Sequence, residues 1–174
     1  MPRHWARWLS ARGAQLVIDT GGAVLGQLLA RLSDPALGPT VAPAFIKPNR
    51  AELEELVGRS LPDAQAVAQA AQALAARHGV RQMVVSLGAE GAVMVSPEGR
   101  WQAAAPPVPV ATTVGAGDAL VAGTLAALMD GQAMPAAGVF GMACAAARIQ
   151  RIAPGLPPLQ QVHELARSIH TTPI

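Results

Sequence analysis

Three short apolar runs, each ending at a turn and each followed or preceded by helical spacing, constrain this chain more than any other feature. "QLVID" (residues 15–19) stops at Asp19 and "TGG", "PAFIKP" (43–48) is closed by prolines, and "RQMVVSLG" (81–88) stops at a glycine. Runs of this length bounded by turn residues read as buried strands. The alternation of strand and helix predicts an α/β fold with a mostly parallel sheet covered by helices on both faces. Such sheets hold ligands outside the carboxyl ends of their strands. The loops of interest therefore follow Ile18, Ile46 and Val85, and contain Asp19, Lys47 with Asn49, and Ser86 with Gly88.

The intervening segments carry helix signals. Residues 3–12 read as a short amphipathic helix, and "AVLGQLLARL" has helical spacing that ends at "DPALGP". In "NRAELEELVG", Asn49 can cap a helix with Glu52 at its third position, the pattern of a capping box, and Gly58 marks the stop. "PDAQAVAQAAQALAARHG" has Pro at the expected first turn, an alanine-rich interior and Gly79 at its end. "GAVMVSPEGRWQAAAPP" predicts two short strands around a turn at 97–99. Further helices are expected at 116–130, 135–151 and 158–169.

At 174 residues the chain has the size of one domain, taken as residues 1–174. No apolar run approaches the roughly 18 residues of a membrane span, and the N-terminus interrupts its apolar residues with charge, so no secretion signal is expected. A single cysteine, Cys144, excludes an internal disulfide and fits a reducing compartment, with the cytoplasm as the default. Net charge is +2, the arginines are scattered, and with no Tyr, 2 Phe and 3 Trp the chain lacks stacking platforms. Nucleic acid and membranes are therefore not expected partners.

The densest chemical signal is "VGAGDALVAGTLAALMD" (114–130). Its glycines can expose successive amide hydrogens where a helix begins, and that combination attracts anions. Asp118 then has two readings. It is a helix cap, or it is a general base beside a phosphoryl group whose charge is stabilised by the amides of Gly115, Ala116 and Gly117. Lys47, the chain's single lysine, is either a surface residue or a point charge for phosphate. The loop Ser86, Leu87, Gly88, Ala89, Glu90, Gly91 is either an ordinary strand-end turn or a place of close backbone approach to a ligand. His4, His78, His163 and His170 have no metal-ligand spacing and read as surface residues.

Taken together, "TTVGAGDALVAG", "KPNRAEL" and "VVSLGAEGAVMV" resemble the signatures of the PfkB branch of ribokinase-like sugar kinases, in the family's order and spacing. The resemblance implies a three-layer αβα ribokinase-like fold and ATP-dependent phosphoryl transfer to a sugar phosphate. It makes Asp118 the catalytic base and residues 115–117 the anion hole. Lys47, Asn49, Gly117 and the 86–91 loop fall to the nucleotide, and Asn49 with Glu52 to Mg2+, through water. "FGMACAAARIQR" resembles the helix beside the adenine, which brings Cys144 into the nucleotide region, although on its own it reads as a small buried residue.

Potassium is only weakly implied. Thr112 stands where many members have Asp, and Arg151 and Ala153 stand where relatives carry a small polar residue and Gly. The resemblance covers only the C-terminal half to three-fifths of a typical member. The expected fold is thus truncated at its N-terminus, without the lid, the first strands or the sugar-binding acid. Fructose 6-phosphate is the first choice of acceptor, with fructose 1-phosphate and tagatose 6-phosphate as alternatives. Full-length relatives are expected to be homodimers. A noncatalytic nucleotide-binding or oligomerising fragment is the competing expectation.

Overall fold

The computed structural model describes residues 8–9, 11–37, 41–153, 155 and 157–174. Most of the helix expected at 3–12 lies outside the described residues. Among the described residues six strands lie in the order β1-β2-β3-β4-β5-β6 in one sheet, which with the helices makes the expected α/β architecture. Residue contacts gather into two units, Met1–Val85 with Val95–Gly99, and Ser86–Met94 with Arg100–Ile174.

In the first unit β1 (Val17–Ile18), β2 (Phe45–Ile46) and β3 (Gln82–Ser86) pair in parallel, with Ile18 opposite Ile46 and Ile46 opposite Met83. The crossovers are α1 (Gly22–Ser33), then α2 (Arg50–Val57) and α3 (Ala64–His78). Met83, Val84 and Val85 are fully buried, as expected of a parallel strand covered on both faces. Leu25, Leu29 and Leu32 recur along one face of α1 and are all buried. Each such leucine removed from water contributes about 2 kcal/mol before the entropy of ordering it.

The regular strands are shorter than the apolar runs suggest. Pro43 and Pro48 flank β2 and cannot donate to a ladder, although the Pro43 carbonyl still accepts the Arg81 N–H at 3.0 Å. Asn49 and Glu52 form the expected capping box, and Gly58 and Gly79 end α2 and α3 in the left-handed conformation. The cap of α3 is Asp63, which takes the Ala66 N–H at 2.7 Å. Pro62 therefore precedes the helix instead of opening its first turn.

The second unit contains most of the expected hairpin, β4 (Ala92–Ser96) and β5 (Gly99–Ala103), followed by α4 (Ala116–Met129), α5 (Met134–Ile149) and α6 (Leu159–Ser168). A last strand, β6 (Thr171–Pro173), runs antiparallel to β5 with Thr171 opposite Ala103. The sequence pattern held no sign of it, because its three residues lack apolar alternation.

α4 and α5 cross at glycines. A methyl group at Gly141 would strike Thr124 Oγ1 and come within 2.6 Å of the Leu120 carbonyl oxygen, and one at Gly123 would lie 2.6 Å from Cys144 Sγ. The Thr124 hydroxyl is satisfied there, donating to the Leu120 carbonyl at 2.7 Å. This close approach fixes where the start of α4 lies relative to the small-residue face of α5.

Candidate active site

The strand-end residues of the first unit follow directly from register. Since Ile18 faces Ile46, the next residues along two parallel strands, Asp19 and Lys47, emerge side by side. The Lys47 Nζ lies 3.6 Å from Asp19 Oδ1. Lys47 is buried, which rules out the lone surface lysine. A buried ammonium needs a partner, and Asp19 supplies it.

Two residues on, Asn49 Oδ1 accepts the Glu52 N–H at 2.9 Å and Glu52 Oε2 accepts the Asn49 N–H at 2.8 Å. The other Glu52 oxygen, Oε1, is pressed against Gly21, where a Cβ would collide with it. Glycine at position 21 thus leaves room for a carboxylate. Among the described residues no group of three or more His, Cys, Asp or Glu is arranged to hold a metal ion. The donor set of Asn49 and Glu52 instead consists of a carboxylate and an amide oxygen. It would fit Mg2+ that keeps its waters and is held through them.

In the second unit Gly115 adopts φ 80 and caps α4 without a side-chain hydrogen bond. Asp118 is therefore the third residue of the helix, not its cap, and its side chain is exposed. The Ala116 N–H donates to the Thr113 carbonyl at 3.2 Å, and the Ala119 N–H makes the first helical bond to Gly115 at 3.0 Å. The expected trio of amides at 115–117 is altered accordingly. Ala116 is consumed by the tight turn, while among the described residues the amides of Gly115, Gly117 and Asp118 have no backbone partner, and the last two point out of the helix end. They do so where a 14-residue helix presents its positive pole.

Beside this turn opens a cleft of about 620 Å³, within the range of small-molecule sites. Ser86, Gly88, Ala89 and Gly91 form one part of its lining, and Ala116 and Gly117 another. Leu87 and Glu90 of the same loop do not line it. Gly91 has φ 108, and a Cβ there would collide with the Ala103 carbonyl, so the loop can pass this point only as glycine. Apart from Thr113 the rest of the wall is apolar, with Pro106, Val108 and Val110 on one segment and Met142, Ala146 and Ile149 on α5. Only the two leading prolines of "PPVPV" fall in the expected hairpin, and its proline-rich pattern is the signal that could have marked a wall.

Cys144 does not line the cleft. Its sulfur faces Gly123 of α4, burial pushes its thiol pKa up, and neighbouring Ala145 takes the lining position instead. Of the histidines, His78 is half-buried, with Nδ1 2.9 Å from Ser33 Oγ, while the exposed ring of His163 sits 5.6 Å from Phe140. Thr112 turns its hydroxyl oxygen to the Val114 N–H at 3.2 Å.

These features meet known proteins at the level of both sequence and fold. A family model described as pfkB family carbohydrate kinase matches residues 12–161. The chain is similar to 1-phosphofructokinase of Rhodobacter capsulatus, 38% identical over 90% of this chain and 46% of that protein. It is 48% identical to 1-phosphofructokinase of Escherichia coli strain K12 over 53% of this chain and 29% of that protein. The structure of phosphofructokinase-2 from Escherichia coli in complex with substrates and products matches with a TM-score of 0.78 at 28% identity, over 95% of this chain and 52% of that one. The chain spans about half the length of the relatives it matches. A match over residues 12–161, with 38% identity across most of its length, shows that the chain belongs to the pfkB family of carbohydrate kinases.

Proposed function

We propose that residues 1–174 form the ATP-binding and catalytic portion of a kinase that transfers the γ-phosphoryl group of ATP to a hydroxyl of a phosphorylated ketohexose. The observation that carries this reading is an exposed carboxylate, Asp118, on a helix start whose Gly117 and Asp118 amides lack backbone partners, next to an apolar cleft of about 620 Å³.

In this reading Asp118 accepts the proton of the attacking sugar hydroxyl. The hydroxyl oxygen bonds to the γ-phosphorus as the bond to the ADP oxygen breaks, and the turn's amides stabilise the charge spread over the transferred group. The Pro106–Val110 wall and α5 hold the base, and the glycines of the 86–91 loop let backbone lie along the nucleotide. Lys47 acts on the phosphates, held in place by Asp19. Asn49 and Glu52 take Mg2+ through water, and the ion supplies neutralising charge when bound. We assign no role to potassium, because Thr112 stands where many family members carry a carboxylate, and Arg151 and Ala153 replace a small polar residue and Gly.

Fructose 6-phosphate leads on sequence motifs alone, but the names of the matched relatives move the preferred acceptor to fructose 1-phosphate. No helix among the described residues is long and apolar enough to cross a membrane. A second reading, in which the chain binds nucleotide without sugar-dependent turnover or assembles with another chain, draws on its spanning about half of its relatives. ADP release measured with fructose 1-phosphate, fructose 6-phosphate and tagatose 6-phosphate separates the two. Turnover that requires a sugar phosphate and is lost in Asp118→Ala supports the kinase, whereas ATP binding with no sugar-dependent turnover would leave the second reading.

A further inference from the structure

Arg148 closes the last turn of α5, a place where a basic side chain ordinarily serves only to meet the helix dipole and its terminal carbonyls. Here one end of the guanidinium does so. Nη1 donates to the Arg151 carbonyl at 2.6 Å. The opposite edge faces the glycine turn: a first side-chain carbon at Gly115 would lie 3.2 Å from Arg148 Nε and 3.9 Å from Nη2. Neither Nε nor Nη2 makes a hydrogen bond to another described residue. The edge formed by Nε and Nη2 is the one that grips two oxygens of a phosphate or carboxylate at once. Because residue 115 is glycine, it places no side chain of its own between this edge and the turn.

The geometry points to Arg148 as a further phosphate-binding residue of this site, a cation anchored by the Arg151 carbonyl and directed at the transferred phosphoryl group over the Gly115 turn. This rests on the proposed kinase reading and adds a side chain to a cradle otherwise made of backbone amides. The Ile149 carbonyl, which accepts the N–H groups of Ala111 and Thr112 at 2.8 and 3.1 Å, ties the end of α5 to the segment leading into the turn. Arg148 and the amides are thereby held in one frame.

The test compares ATP with AMP, whose single phosphate lacks the terminal group, by calorimetric titration of the full chain in the presence of magnesium. Arg148→Gln keeps an N–H donor for the Arg151 carbonyl and removes the charge and the fork. Arg148→Lys keeps the charge and loses the fork. ATP affinity should fall on the order of tenfold in Arg148→Gln and by roughly threefold in Arg148→Lys, while AMP affinity stays within about twofold. Melting temperatures taken alongside confirm that both variants fold. Equal losses for ATP and AMP, or no loss for either, would overturn the role of Arg148 while leaving the kinase reading standing. Failure of the unaltered chain to bind ATP would overturn the kinase reading and the proposal built on it.

Discussion

Replacing Gly141 with alanine should destabilise this protein, against the helix propensity of the two residues. In an exposed helix interior the change stabilises by roughly 1 kcal/mol. At Gly141 the new methyl would meet Thr124 Oγ1 and lie 2.6 Å from the Leu120 carbonyl oxygen and 3.1 Å from the Thr124 backbone nitrogen. Two of these three atoms are backbone of α4, so relief requires the helices to separate. Overpacking of this kind costs about 1–3 kcal/mol, and with two atoms inside 3.0 Å the upper end applies, leaving a net loss of about 2 kcal/mol after the propensity gain. For a chain of 174 residues that lowers the melting temperature by several degrees, at about 2–4 °C per kcal/mol. Gly26→Ala is the matched control. It lies in α1, and its methyl would meet only Leu56 Cδ2 at 3.0 Å, the movable end of a side chain. That variant should be as stable as the unaltered protein or slightly more so. Urea unfolding of both variants decides the matter. Since Leu120 and Met142 both line the cleft, Gly141→Ala should also weaken nucleotide binding. A Gly141→Ala protein as stable as the unaltered chain would refute the close-crossing argument.

Asn49→Ala removes the acceptor for the Glu52 N–H and half of the capping box of α2, and urea unfolding should show a loss of about 1 kcal/mol. Burial, followed by the adjacent charge of Arg77, holds the His78 imidazole below its ordinary range against an opposing hydrogen bond at Leu29. Its contribution to stability is therefore complete above the unfolded-state value near pH 6.5 and declines as pH falls below it through the folded-state value. The drop in melting temperature between about pH 7.5 and 5.5 should be smaller in His78→Gln, and an identical drop would count against this origin. Gly91→Ala combines a left-handed backbone with a collision at the Ala103 carbonyl. It should lower both stability and nucleotide affinity, whereas Gly88→Ala, left-handed but with open space around it, should show the strain alone, on the order of 1 kcal/mol.

Much of this was legible because local chemistry and tertiary context agree. Asn49, Glu52 and Gly58 carry complete start and stop signals for α2, and the structure realises each one. Buried runs such as "MVVS" need both faces covered, so their appearance as parallel strands follows from composition alone. What escaped was set by packing or by hydrogen bonds that no spacing rule encodes. The diversion of the Ala116 amide to Thr113 depends on how tightly the turn closes. The outward turn of Cys144 away from the cleft depends on the rotation of α5 against Gly123. Strand β6 exists because β5 offers it an edge, and Pro173 tolerates an edge position. Arg148 escaped for the same reason, since only the fold brings the end of α5 to Gly115.

The most direct measurement concerns Asp118 as base. Asp118→Asn preserves size and the helix start, so the nucleotide affinity of the full chain should stay within about threefold of the unaltered protein. Transfer from ATP to fructose 1-phosphate, followed as sugar-dependent ADP release, should fall by at least about 10²-fold, the contribution typical of a positioned general base. Unchanged transfer in Asp118→Asn, with ATP still bound, would contradict the account at its centre.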